Sequence, residues 1–286
     1  MKYPWLNRIL MANVIVQSGI IATGAVVRVS NSGLGCPSWP QCTQGSYTPT
    51  VHQAESWHKW IEYGNRTLTG VLLIVAVSVL VGVFTVTTDH KSRFLAVTPL
   101  VLTFGQAILG GITVITGLNP YTVASHFLLS ASIVILSVRL WWRMRGNIVI
   151  NPDARSLSRA RILLVTSSVV VFLGVVTTGS GPHSGDAKAE ARFPLDPAFA
   201  ARIHAVSVTI LLASVWMAYQ YLRSNNRNAK ALIGAVIIIA AQATVGLIQY
   251  TTGLPATLVG IHVALAATFW AAINITVVQM MYPVSE

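Results

Sequence analysis

The sequence predicts an all-α membrane protein: eight transmembrane helices in two pseudo-symmetric four-helix bundles, with both termini cytoplasmic. Three observations predict it. Apolar stretches of about 20 residues, the length needed to cross a ~30 Å hydrocarbon core, recur along the chain. Charged residues make up only 9% of the 286 and hydrophobic residues 53%, against roughly 25% charged in a soluble domain. The basic residues gather in alternate connections. Helix is the expected conformation because lipid offers backbone groups no partner outside the segment.

The first span, residues 9–27, runs into Arg28 without a small-residue cleavage site, so it reads as a retained helix. The second, 60–87, follows a long connection and opens on IEYGNR. The third and fourth, 94–115 and 122–142, are joined by a short turn at Gly117. The fifth, 162–178, follows the basic stretch 143–161. A second long connection leads to the sixth, 199–222. The seventh and eighth, 231–250 and 257–282, flank a short turn at Gly253.

The formal net charge is +11, which invites a nucleic-acid reading. The distribution argues against one. Lys2, Arg8, Lys91, Arg93, Arg139, Arg143, Arg145, Arg155, Arg159, Arg161, Arg223, Arg227 and Lys230 lie at the N-terminus or in even-numbered connections, 13 of the 19 basic residues. Glu55, Asp186, Glu190 and Asp196 lie in the odd-numbered ones. Positive charge marks the cytoplasmic side. The surplus is a topology signal for a multi-pass protein of the plasma membrane, with some attraction to anionic lipid.

The chain divides into an N-terminal half, 1–145, a cytoplasmic linker, 146–160, and a C-terminal half, 161–286. The halves read as copies of a four-helix unit. GQAILGGITVITGLNPYTVASHF at 105–127 aligns without gaps on AQATVGLIQYTTGLPATLVGIHV at 241–263. Gln106 pairs with Gln242, Gly110 with Gly246, Gly117 with Gly253 and His126 with His262. IEYGNR faces AARIHA less cleanly, setting Asn65 opposite His204. Internal duplication is a recurrent plan in membrane proteins.

His126, His204 and His262 each lie about five residues inside an even-numbered helix, roughly 6–8 Å below its start. Polar residues at such depth are costly and usually functional. Facing imidazoles in a helical bundle are a common means of holding haem iron. His204 and His262 would hold one haem from both sides. The first half offers His126 but only Asn65 opposite it, and asparagine is a poor iron ligand. One site is therefore expected to be saturated, which suits electron transfer, and the other open, which suits chemistry. Gly64, Gly70, Gly110, Gly111 and Gly246 are candidates for close approach of a flat macrocycle, although glycine also marks plain helix contacts.

Glu62 lies one turn from Asn65 on the same helix face. It reads either as an interfacial acid paired with Arg66 or as a group that accepts a proton or stabilises a cationic intermediate. Arg28, Arg66 and Arg202 lie near the same boundary. They are candidates for pairing haem propionates, with ordinary snorkelling as the alternative. Cys36 and Cys42, the only cysteines, share the outer connection GLGCPSWPQC. That compartment is oxidising, so a disulfide is expected. It is either structural or a redox pair serving the first-half site. The c-type haem motif C-x-x-C-H is absent, and the spacing to His52 and His58 is loose for a metal site.

TGAVVRVSNSGLGCPSWPQC, IEYGNR, and the histidines of helices four, six and eight together resemble the haem A synthase family over nearly the whole chain. That resemblance implies an oxidoreductase that converts haem O to haem A for cytochrome oxidase. The C8 methyl would be hydroxylated in successive steps, and the gem-diol would lose water to leave a formyl group. It implies that His204 and His262 ligate a haem b acting as electron relay, that Glu62 and His126 serve the substrate haem, and that Cys36 and Cys42 are the family's loop pair. Many members carry E-x-x-H where this chain has Glu62-x-x-Asn65. Either His126 binds the substrate alone or Asn65 holds a water or an intermediate. His58, one turn before Glu62, is a substitute only if it lies below the membrane surface.

Two other functions stand beside this one. A b-type cytochrome subunit of an electron-transfer complex accounts for His204 and His262 and leaves Glu62 and the cysteine loop idle. A non-enzymatic haem carrier calls for a more open lateral pocket and no redox partner. A prenyltransferase needs aspartate clusters for Mg²⁺-diphosphate, and Asp153, Asp186 and Asp196 are scattered. The partners implied are haem O, an electron acceptor that the sequence does not identify, a complex with the prenyltransferase supplying haem O, and a second copy in a homo-oligomer.

Overall fold

The computed structural model describes residues 3–146, 153–225 and 227–283. Eight α-helices follow one another: α1 Pro4–Val29, α2 His58–Val86, α3 His90–Ile115, α4 Pro120–Arg143, α5 Ala154–Ser180, α6 Pro197–Ser224, α7 Lys230–Thr251 and α8 Ala256–Met281. Among the described residues no β-strand is formed. All eight helices are long and apolar enough to cross a membrane, and the chain is an integral multi-pass membrane protein. Ile15, Ile74, Phe94, Val165, Ile237 and Leu247 are exposed on their helices, a surface suited to lipid rather than water.

Most helices start before the apolar run, for local reasons. Pro4, Pro120 and Pro197 occupy first-turn positions, where the missing N–H has no cost. Asp89, Asn119, Asp153 and Asp196 cap α3 to α6, each accepting from a backbone N–H of the first turn. The Asp153 cap starts α5 at Ala154, within the stretch 146–160. Its residues 147–152 lie outside the described residues, as does Lys2. Hydrogen bonds from Ser92, followed by Arg143, hold the Asp89 carboxyl down at about 2. A hydrogen bond from Tyr221 is the main cause that keeps Asp153 below its ordinary value.

The two short turns are built alike. Gly117 and Leu118 have φ of +63° and +59°, and Gly253 and Leu254 have +79° and +59°. Leu118 N–H donates to Thr113 O at 2.9 Å, and Leu254 N–H to Gln249 O at 2.7 Å. These residues are partners in the repeat alignment. Glycine enters the left-handed region freely. A leucine there is strained, and the six-to-one hydrogen bond that closes each helix offsets that strain.

Helices α1, α4, α5 and α8 pack against one another at the centre. On one side α2 and α3 complete a ring with α1 and α4, and on the other α6 and α7 complete one with α5 and α8. The contact between α6 and α7 is the thinnest in either ring. Leu140, Val138, Ile273, Val277 and Leu163 fill the central seam. Polar ties cross it: Trp270 Nε1 donates to Ala131 O at 2.8 Å, Ser156 Oγ to Met280 O at 2.7 Å, and Asn13 Nδ2 to Ser137 Oγ at 2.8 Å.

Candidate functional site

Where α1, α3, α5 and α7 end and α2, α4, α6 and α8 begin, the bundle encloses a cavity of about 550 Å³ lined from all eight helices. That size is usual for a small-molecule site. His126, His204 and His262 line it, with Glu62, Asn65, Arg66 and Arg28. His204 on α6 and His262 on α8 face the same cavity.

Each histidine is seated in the same way. A Cβ added at Gly110 on α3 would stand 3.2 Å from His126 Cε1; at Gly174 on α5, 3.2 Å from His204 Cε1; at Gly246 on α7, 3.1 Å from His262 Cε1. The glycine of one helix thus makes room for the imidazole of the next. The Nδ1 atoms of all three are buried without a hydrogen-bond partner, which is uncommon for buried polar atoms. Gly174 carried no role in the sequence reading. Its signal was a match of Leu173-Gly174-Val175-Val176 to Thr23-Gly24-Ala25-Val26, hidden by connections of different length.

The fourth position differs. Asn65 Oδ1 accepts from Thr23 Oγ1 on α1 at 2.7 Å. Gly24, the match of Gly174, has nothing within 4 Å of an added Cβ. Gly64 and Gly70 are exposed and have open space beside them, and Gly111 meets the Trp39 ring. Gly110 and Gly246 seat imidazoles, so none of these five glycines is set aside for a macrocycle alone.

Glu62 is buried and tightly partnered. Its Oε1 accepts from Arg66 Nε at 3.0 Å and Nη2 at 2.5 Å, and its Oε2 accepts from Cys36 N–H at 2.6 Å. Arg66 also donates to Cys36 O at 2.6 Å, Ser38 O at 3.0 Å and Gln41 O at 3.3 Å. The pair therefore clamps the Cys36–Cys42 segment onto α2, and the two cysteines form a disulfide. The clamp brings Trp39 and Pro40 into the cavity wall. Neither this docking nor the part played by Trp39 was legible in the spacing.

Arg28 lines the cavity too. Its Nε donates to His183 O at 2.7 Å and Nη2 to Thr178 O at 2.9 Å. No carboxylate pairs with it among the described residues. Arg202, the third arginine expected here, is exposed and outside the lining. It stands two residues before His204, about 200° round the helix, so a helix that turns His204 inward turns Arg202 away. His58 bonds Ser32 Oγ at 3.0 Å through Nδ1 at the mouth of α2 and does not line the cavity.

These features fit a haem. Among the described residues no group of three or more His, Cys, Asp or Glu is placed to hold a bare metal ion. Single or paired imidazoles suit iron that brings its own equatorial nitrogens. The cavity-lining imidazoles and an arginine without a carboxylate would supply the remaining contacts.

Residues 7–197 match the COX15-CtaA family of cytochrome oxidase assembly proteins. The chain belongs to that family. Among relatives, the haem A synthase of Shewanella oneidensis is 28% identical over 64% of this chain and 58% of its own length. That of Geobacillus thermodenitrificans is 31% identical over 44% and 39%. The chain thus spans less than two thirds of either. That of Listeria welshimeri is 24% identical over 88% of this chain and 86% of its own.

Proposed function

We propose that the protein is a haem A synthase, an oxidoreductase that oxidises the C8 methyl of haem O to a formyl group for cytochrome oxidase. The observation that carries this reading is a single cavity uniting three seated histidines with a buried Glu62. The resemblance to proteins named haem A synthase supports it. The chain is read as two related halves, 1–145 and 161–286, joined by 146–160. Both termini are cytoplasmic and the cavity lies toward the extracytoplasmic side. The C-terminal half would hold haem b between His204 and His262, and the N-terminal half would receive haem O on His126.

Haem b, when bound, would supply a one-electron relay. The rest is done by the chain. His126 holds the substrate from one side, and Gly110 fixes the imidazole. Asn65, tied to Thr23, leaves the opposite side open, so haem O loads and product leaves without displacing a second strong ligand. Arg28 offers its charge to a propionate. Glu62 accepts a proton released as the methyl is oxidised, with Arg66 holding the carboxylate in place. Each hydroxylation would take its oxygen from water, replacing one C–H of the methyl by C–OH and releasing two electrons to the acceptor and two protons, one of them to Glu62; loss of water from the gem-diol leaves the aldehyde. Trp39 and Pro40 keep bulk water from the cavity.

Incubation of the purified protein with haem O and an electron acceptor, followed by mass analysis of the extracted porphyrin, tests the reaction. A gain of one oxygen, then loss of two hydrogens, is expected; unchanged haem O would overturn it. A b-type cytochrome subunit predicts two tightly held low-spin haems and no change of haem type.

A further inference from the structure

We propose that Gln17 recognises the hydroxyl group of the prenylated side chain of haem O at the floor of the cavity, on its N-terminal-half side, and so selects a hydroxylated macrocycle. This rests on the reading of that half as the haem O site. Gln17 is 3% exposed, lines the cavity, and has no hydrogen-bond partner for Nε2. A buried amide with an unmade hydrogen bond is costly, and Gln17 lines a space that a ligand would enter.

Depth and charge indicate which part of the ligand it meets. Gln17 lies twelve residues from the end of α1 at Val29, about 18 Å along the helix. His126 lies six residues into α4 from Pro120, about 9 Å. Gln17 is therefore well below the imidazole level. Arg28, at the top, is the cavity arginine without a carboxylate partner among the described residues, so the propionate edge faces up. The hydroxylated prenyl group of haem O is carried on the opposite edge, which faces Gln17. The C8 methyl neighbours a propionate, and the same orientation sets it at the level of Glu62.

The second half has no amide equivalent to Gln17, and its unpartnered cavity amides, Gln242 and Gln249, lie on α7. In the alignment through Gly24 and Gly174, Gln17 is matched by Ser167, whose Oγ donates to its own helix at Leu163 O, 2.7 Å. Ser130, which takes a hydrogen bond from Gln106, is matched by Ala266.

The test titrates the purified protein, carrying its resident haem, with haem O and with its deoxy analogue, which keeps the prenyl chain and lacks the hydroxyl. The wild type is expected to bind haem O about tenfold more tightly than the analogue. Gln17→Met is expected to bind both equally, with the resident haem spectrum intact. A wild type that does not discriminate overturns the proposal whether or not the variant folds. So does a variant that keeps the preference, which is what a purely structural role predicts, with Gln17 facing the unpartnered Oδ1 of Asn13 one turn before it on α1. Failure of the wild type to bind either haem overturns the haem O site itself, and the proposal with it.

Discussion

The Glu62 carboxylate accepts the backbone N–H of Cys36 at 2.6 Å, across 26 residues of sequence. The residue proposed as proton acceptor is thus also the anchor of the disulfide segment. The two roles separate by substitution. Glu62→Gln keeps a group that accepts from Cys36 and removes the charge; Glu62→Ala removes both. Conversion of haem O is expected to fall about 10²-fold or more in each, with the resident haem spectrum unchanged. Full activity in Glu62→Gln would make Glu62 an anchor only.

His204 and His262 are expected to act as a pair. Replacing either with alanine should abolish the low-spin, bis-imidazole spectrum of the resident haem, while His126→Ala should leave it intact. A resident spectrum that survives His204→Ala would remove that histidine from the ligand set.

Asn65→His tests the asymmetry of the two sites. Gly24 has open space beside it, and the equivalent glycines seat imidazoles. The variant is expected to turn bound haem O from high-spin to low-spin and to slow release of product. A spectrum unchanged from wild type would mean that position 65 does not face the iron.

Eight helices, the three histidines and the cysteine pair were legible because each depends on pattern: apolar length, depth within a span, or membership of one short connection. The fourth seat was legible only in part. Asn65 could be aligned with His204, but its partner Thr23 lies 42 residues away on another helix. Gln17 was invisible as a site residue, since one amide in an apolar helix has no period to betray which way it faces. The clamp of Arg66 on three carbonyls was equally hidden, because backbone acceptors carry no residue identity. Arg202 was grouped with Arg28 and Arg66 by its place near the outer boundary, and that placement does not say which way a side chain faces: it is exposed and outside the cavity lining.

The disulfide closes a short loop already held by Glu62 and Arg66. Cys36→Ser is expected to cost about 2 kcal/mol by chain entropy. The thermal midpoint of the detergent-solubilised protein should fall by a few degrees and the resident haem should be retained. Loss of that haem would show that the loop supports the second half as well.

Co-expression with a source of haem O, purification, extraction of the haems and chromatography test the central claim most directly. The account predicts haem b together with haem A or its hydroxylated precursor. Haem b alone, with haem O available in the same membranes, would contradict it.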